Sequence, residues 1–341
     1  MYSDADLDAA VTAGVLDAQA VAAFRAHVAG ERSTPMVDEE QFRLITGFND
    51  IFVVIASILV LSAVGWIGTQ LTNALGAAAV VLTAWALAEY FTRVRRMALP
   101  SIVLLLAFVA AAVWTALLVL PSGFDNTEQR IAPLSFAAAA ALGATAAWLH
   151  WQRFHVPITV AAGSAALAGV ALFLVASVLP DSALQWLNVA VFLAGTGVFV
   201  VAMRWDLSDP QRQTQRSDVA FWLHLLAAPL LVQPIFALVG LLGNASDLLE
   251  ALVVVVVYLV IGVIALIIDR RALLVSALAF LLSALSGIFE AFGAVDPNIA
   301  LAALLIGSAL LLLSAFWDTT RAVLVRRLPQ LWQARLPAIG A

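Results

Sequence analysis

The chain has neither cysteine nor lysine, and only 11% of its 341 residues carry charge. Without cysteine there are no disulfides, no thiolate catalysis and no thiolate metal ligands. Charge this sparse excludes a soluble fold, because a domain of this size needs roughly 25% charged residues to cover its surface. With 63% hydrophobic residues, lipid must be the solvent for most of the chain. A basic face is missing too. The net charge of −5 belongs to residues 1–45, where eight acidic residues stand against three arginines, and this argues against nucleic-acid binding.

Signature motifs are also lacking. No serine sits in a Gly-x-Ser-x-Gly elbow and no phosphate-binding glycine loop occurs, so the chain is not expected to be an enzyme or to drive transport with ATP by itself. His150 and His155 are five residues apart, not the four that place two imidazoles on one helix face, and His150 with His224 is the sole pair at a depth suited to haem. No cofactor or metal is expected. The first 45 residues lack a basic region followed by an apolar core, so no cleaved leader is expected and the first membrane helix would serve as an anchor.

What the chain does have is long apolar runs. A helix needs about 20 apolar residues to cross the hydrocarbon layer. Ten such stretches are present, at 50–69, 73–92, 99–120, 131–149, 156–179, 184–204, 219–241, 249–268, 272–292 and 298–317. Since only helices satisfy their own backbone at this spacing, the expected fold is an all-α polytopic bundle of ten spans. The seventeen arginines fix its orientation. Sixteen fall before the first span or in every second connection, and Arg130 alone falls on the other side. The positive-inside bias then places both termini in the cytoplasm. Trp148, Trp151, Trp205, Trp222 and Trp317 lie at the arginine-side boundaries, and Trp66 and Trp186 at the opposite ones, as interfacial anchors do.

Three segments follow from this layout: a cytoplasmic helical hairpin and linker over 1–45, the transmembrane domain over 46–318, and a basic interfacial segment over 319–341. In the hairpin, Gly14 is a C-cap candidate and Asp17 opens a second helix. Beyond the last span, Val323, Leu324, Leu328, Leu331 and Trp332 mix with arginines, which suits the headgroup layer. A loose internal repeat, a helix end followed by arginines and a new helix, recurs at residues 88–101, 151–158 and 268–276. An offset of six spans would make it a parallel duplication, although Ala/Leu-rich helices resemble one another by composition.

In layout the chain resembles bacterial multi-spanning membrane proteins of unassigned activity that begin with a cytoplasmic helical hairpin. The stretches that carry the resemblance are Gly14-Val15-Leu16, a Gly-hydrophobic-Leu turn, and the ending from Phe316-Trp317-Asp318-Thr319-Thr320-Arg321 to Arg326-Arg327-Leu328-Pro329. It implies a multi-pass protein of the bacterial inner membrane, and no functional residue carries over.

Candidate site residues are few because ionisable groups deep in a bilayer are costly. Asp50 complements a helix N-terminus, while Glu89 can pair with Arg93 and Asp318 with Arg321. Glu290 has no basic neighbour on its own helix and either snorkels or pairs with Arg130 as an outer ion pair. Span seven is the most informative. His224, Pro229, Gln233 and Pro234 make it a candidate polar crevice or hinge, since each proline deprives the carbonyl four residues earlier of its donor. A plain packing kink is the competing reading. Glycine and alanine in spans four to six, including Gly163, Gly169, Gly195 and Gly197, are expected to form a tight core.

Two functions remain open. One is a facilitative carrier for a small neutral or amphipathic solute, with span seven moving. The other is a membrane-anchored scaffold or sensor that binds a cytoplasmic protein partner through the hairpin. Membrane lipids are the expected surroundings, and a homo-oligomer is a further option. The absence of native cysteine makes the orientation directly testable. A thiol introduced by Arg216→Cys should label from the cytoplasmic side and one introduced by Asp181→Cys from outside; the reverse pattern would overturn every depth assigned above.

Overall fold

A computed structural model describes residues 7, 10–21, 23–24, 48–120, 131–178, 183–209, 214–238, 248–271, 273–278, 281–282, 285, 298–333 and 336. Two units, Met1–Phe42 and Arg43–Ala341, are distinguished by their internal contacts. In the first, helical residues 10–12 and 18–21 are separated by Gly14, whose φ of 70° and the bond from Val15 N to Ala10 O (2.9 Å) form a left-handed helix stop. Val21 N donates to Asp17 O at 3.0 Å, so the next helix starts at Asp17.

The second unit is built of helices joined by short turns, with no strand among its described residues. Helices α1 (Phe48–Thr69), α2 (Asn73–Ala88), α3 (Ala98–Val119), α4 (Ile131–Phe154), α5 (Ile158–Val178), α6 (Ala183–Leu207), α7 (Gln215–Leu238) and α8 (Leu248–Ile268) follow in order. Then come α9 (273–278), α10 (Asn298–Ala315), α11 (Trp317–Val325) and the short α12 (Gln330–Gln333). Seven helices, in α1 to α7, are long and apolar enough to cross a membrane. The expected count of ten is met in part. The apolar stretch Leu252–Ile268 of α8 is shorter, the expected ninth span falls largely outside the described residues, and α10 and α11 form a pair bent by 71° that would count as one more.

Local chemistry explains the helix ends. The Thr72 side chain accepts from Leu75 N at 3.1 Å and caps α2. Pro100 and Pro133 occupy first turns, where a missing N–H costs nothing. The three non-glycine residues with positive φ among those described are Arg96, His155 and Asp269, at 52°, 53° and 61°. Each stands at one of the three sites of the loose repeat, so the shared sequence pattern corresponds to a shared corner in which a left-handed residue turns one helix into the next. The conformation costs roughly 1–2 kcal/mol without glycine. At the first corner Glu89–Val94 form a π-helical turn before Arg96.

Close approach is confined to particular pairs. A Cβ on Gly68 would lie 2.6 Å from Gly76 Cα, which locks α1 against α2, and one on Gly195 would lie 2.8 Å from the Leu230 backbone, which locks α6 against α7. Spans four to six are therefore not one tight core: α4 packs closely on α5 through Gly163 and Gly169, Gly195 serves α7, and Gly197 faces open space. Among the seven long apolar helices α7 is the most buried, and it runs as one continuous helix through Pro229 and Pro234.

Candidate functional site: a buried ionic clamp

Asp206 lies one residue from the end of α6, where the negative end of the helix dipole disfavours a carboxylate. Two partners offset that cost. From α7, His224 Nε2 donates to Asp206 Oδ2 at 2.7 Å. From the corner between α8 and α9, Arg270 grips both carboxylate oxygens, Nη2 on Oδ1 and Nε on Oδ2. All three side chains are buried, at 4% or less exposure. A two-pronged guanidinium contact is among the stronger charge-assisted geometries.

The left-handed corner at Asp269 makes this reach possible. Arg270 N donates to Ala265 O at 2.9 Å, closing α8, and the Arg270 side chain points across to α6. Asp269 itself accepts from Trp317 Nε1 at 2.7 Å, and its carboxylate lies 3.6 Å from Arg321 Nε. Asp269, Trp317 and Arg321 are buried as well. Two carboxylates thus face two guanidinium groups, and the ends of α6 and α8, the start of α11 and the third turn of α7 meet in one ionic clamp. The turn entering α7 is fixed in turn by Asp209, which accepts from Thr214 N at 2.8 Å and Thr214 Oγ1 at 2.7 Å.

The residues singled out on span seven are separated by this arrangement. His224 is buried in the clamp, with Phe199 beside its ring. Gln233 and Pro229 are exposed and Pro234 is buried. Nine residues at 100° per residue put Gln233 half a turn away from His224, on the opposite face of α7. Glu290 and Arg130 lie outside the described residues. Asp50 is buried at the start of α1.

Other pairings differ from the helix-local ones. Glu89 is held across helices by Arg153, with Nε at 2.7 Å and Nη2 at 3.0 Å, while its helix neighbour Arg93 stands at 3.4 Å. Asp318 is exposed, whereas Arg321 turns inward to Asp269. Trp66, Trp148 and Trp186 are exposed, but Trp317 is an internal donor and not a surface anchor. His150 is fully buried among Trp85, Phe108 and Phe154, with Thr159 Oγ1 at 3.3 Å from Nδ1, in a cluster separate from that of His224. Among the described residues no group of three or more potential ligands gathers to hold a metal.

Comparison with protein-family models, curated proteins and solved structures finds no match. The chemistry of the clamp therefore carries the functional argument. Asp206, Asp269 and Arg270 are absent from the candidates read from the sequence, and Arg321 is paired there with Asp318. The signal was available in the aspartates that directly follow apolar helices, at Trp205-Asp206 and Ile268-Asp269, amid arginines that the orientation rule alone explains.

Removing one member of a buried ion pair costs about 3–5 kcal/mol because its partner is stranded. Asp269→Asn should lower the unfolding free energy in detergent by about that amount, while Asp318→Asn on the exposed face should stay within about 0.5 kcal/mol. Equal effects from the two would return Arg321 to Asp318.

Proposed function

We propose that this integral membrane protein is a ten-span protein of the bacterial inner membrane with both termini in the cytoplasm. Its activity in this reading is facilitative transport of a small neutral or amphipathic solute, and the clamp at Asp206, His224 and Arg270 is the cytoplasmic gate. The observation that carries the reading is the position of His224. It ties α7, the most buried of the seven long apolar helices, from its third turn to the arginine-bearing end of α6 and to the α8–α9 corner. Buried ions concentrated at helix ends leave the midplane free of charge for an uncharged cargo. Next to His224 the inward face of α7 carries small residues, Ala227 and Ala228, and farther along the bulky Val232 and Phe236, so the part of the helix nearest the clamp is the part freest to shift.

A second reading rests on the first unit, where Val15, Leu16 and Phe24 are exposed. Apolar side chains in a short helical pair suit a cytoplasmic protein partner, with the membrane domain as anchor or as the contact between copies in a homo-oligomer.

The chain lacks native cysteine, so a thiol introduced by Ala228→Cys reports the state of the gate. Added Asp206→Asn should raise its reaction rate with an impermeant reagent in inverted vesicles roughly tenfold, the effect of about 1.4 kcal/mol on an opening equilibrium. An unchanged slow rate in a folded variant would remove the gate and leave the scaffold reading.

A further inference from the structure

The bent pair α10–α11 shapes a second feature that the gate does not use. A half-open pocket of about 140 Å³ lies between α9 and α10, walled by Leu274, Val275, Leu278, Leu310 and Leu313. That volume is below the range of sites that enclose a whole small molecule, and it suits part of a single acyl chain. One end is closed by Trp317, and the Arg271 guanidinium lies 4.8 Å from the centre of that indole ring. From this end the chain turns by 71° into α11. That helix buries Trp317, Arg321 and Val325 at fourfold spacing and exposes Val323, and Arg326 and Arg327 just past its end are exposed too. With α10 across the bilayer, a helix bent so far runs nearer the membrane plane, at headgroup level on the arginine-bearing side. The pocket therefore starts at headgroup depth with a cation and an aromatic ring, and continues into the hydrocarbon as an aliphatic slot.

We infer that this pocket binds an anionic phospholipid from the surrounding bilayer, with its phosphate at Arg271 and an acyl chain along Leu274, Leu278, Leu310 and Leu313. Charge complementarity selects the occupant. A guanidinium presents several in-plane N–H donors that match phosphate oxygens, and stacking on Trp317 holds that plane in place. Basic pockets between membrane helices at the headgroup level have this chemistry. A soluble phosphate would use Arg271 but leave the slot empty, and a neutral lipid would fill the slot without the charge. The bound headgroup stands one residue from Arg270, so the lipid also stiffens the corner that carries the clamp.

The test uses the full chain purified in detergent, stripped of lipid and offered phosphatidylglycerol or phosphatidylcholine with identical acyl chains, with retention read by native mass spectrometry. Wild type should retain phosphatidylglycerol roughly fivefold more than phosphatidylcholine, the effect of one arginine beside an anionic headgroup. Arg271→Gln should abolish the preference. Val275→Trp should lower retention of both lipids by filling the slot; since Val275 is 67% exposed, this change leaves the packing of the bundle in place. Saturating inorganic phosphate should leave the lipid bound. Equal retention of the two lipids by wild type, a preference that survives Arg271→Gln, unchanged retention in Val275→Trp, or displacement by phosphate alone would each overturn the assignment. None of these outcomes depends on whether the clamp gates transport.

Discussion

A carboxylate at the C-terminal end of a helix meets the negative end of the helix dipole, and one that is also buried loses its water. Asp206 has both disadvantages. It persists as an ion only where cations and donors come to it, and the folded chain supplies them from two other elements, His224 on α7 and Arg270 beyond α8. Residues 64 positions apart in sequence are thereby brought into direct contact. Apolar packing alone holds membrane helices together with little directional preference, because lipid is as apolar as leucine. A shared buried acceptor adds direction, since each partner must arrive with a donor at a fixed angle.

The corner geometry makes that arrival possible. Three helix pairs turn through a left-handed residue, at Arg96, His155 and Asp269, yet only the third corner is buried. At the first two the left-handed residue itself is exposed to the surroundings. At the third the same turn is covered by α11, and its side chains become structural: Asp269 receives Trp317, Arg270 reaches Asp206, and Arg271 stacks on Trp317. One local conformation thus serves as a surface turn in two places and as the centre of an ionic network in another. The difference comes from the 71° bend after α10, which lays α11 over the corner.

Much of the fold was legible from apolar run length, and the reason is physical: in lipid the backbone must be satisfied within each segment. The first seven runs are found as helices long and apolar enough to cross a membrane, with ends shifted by a few residues. Gly14 was legible for a similar reason, since a left-handed helix stop favours glycine. The site was much less so. An arginine after a span reads as an orientation signal wherever it finally points, so nothing local distinguishes buried Arg270 from exposed Arg216. Helix-local pairing also misleads where a partner on another helix offers better geometry, as Arg153 does for Glu89 and Asp269 for Arg321. The opposed faces of His224 and Gln233 followed from helix periodicity alone, but treating the prolines, the histidine and the glutamine as one polar cluster obscured it.

The central claim is that Asp206 and Arg270 act as one unit. A double-mutant cycle with Asp206→Leu, Arg270→Met and the double variant, followed by unfolding in mixed micelles, measures this directly. Each single change strands a buried ion, whereas the double change removes both. The account predicts that the double variant loses less stability than the two single losses combined, with a coupling of about 1–3 kcal/mol. Additive losses, with no coupling beyond experimental error, would contradict it.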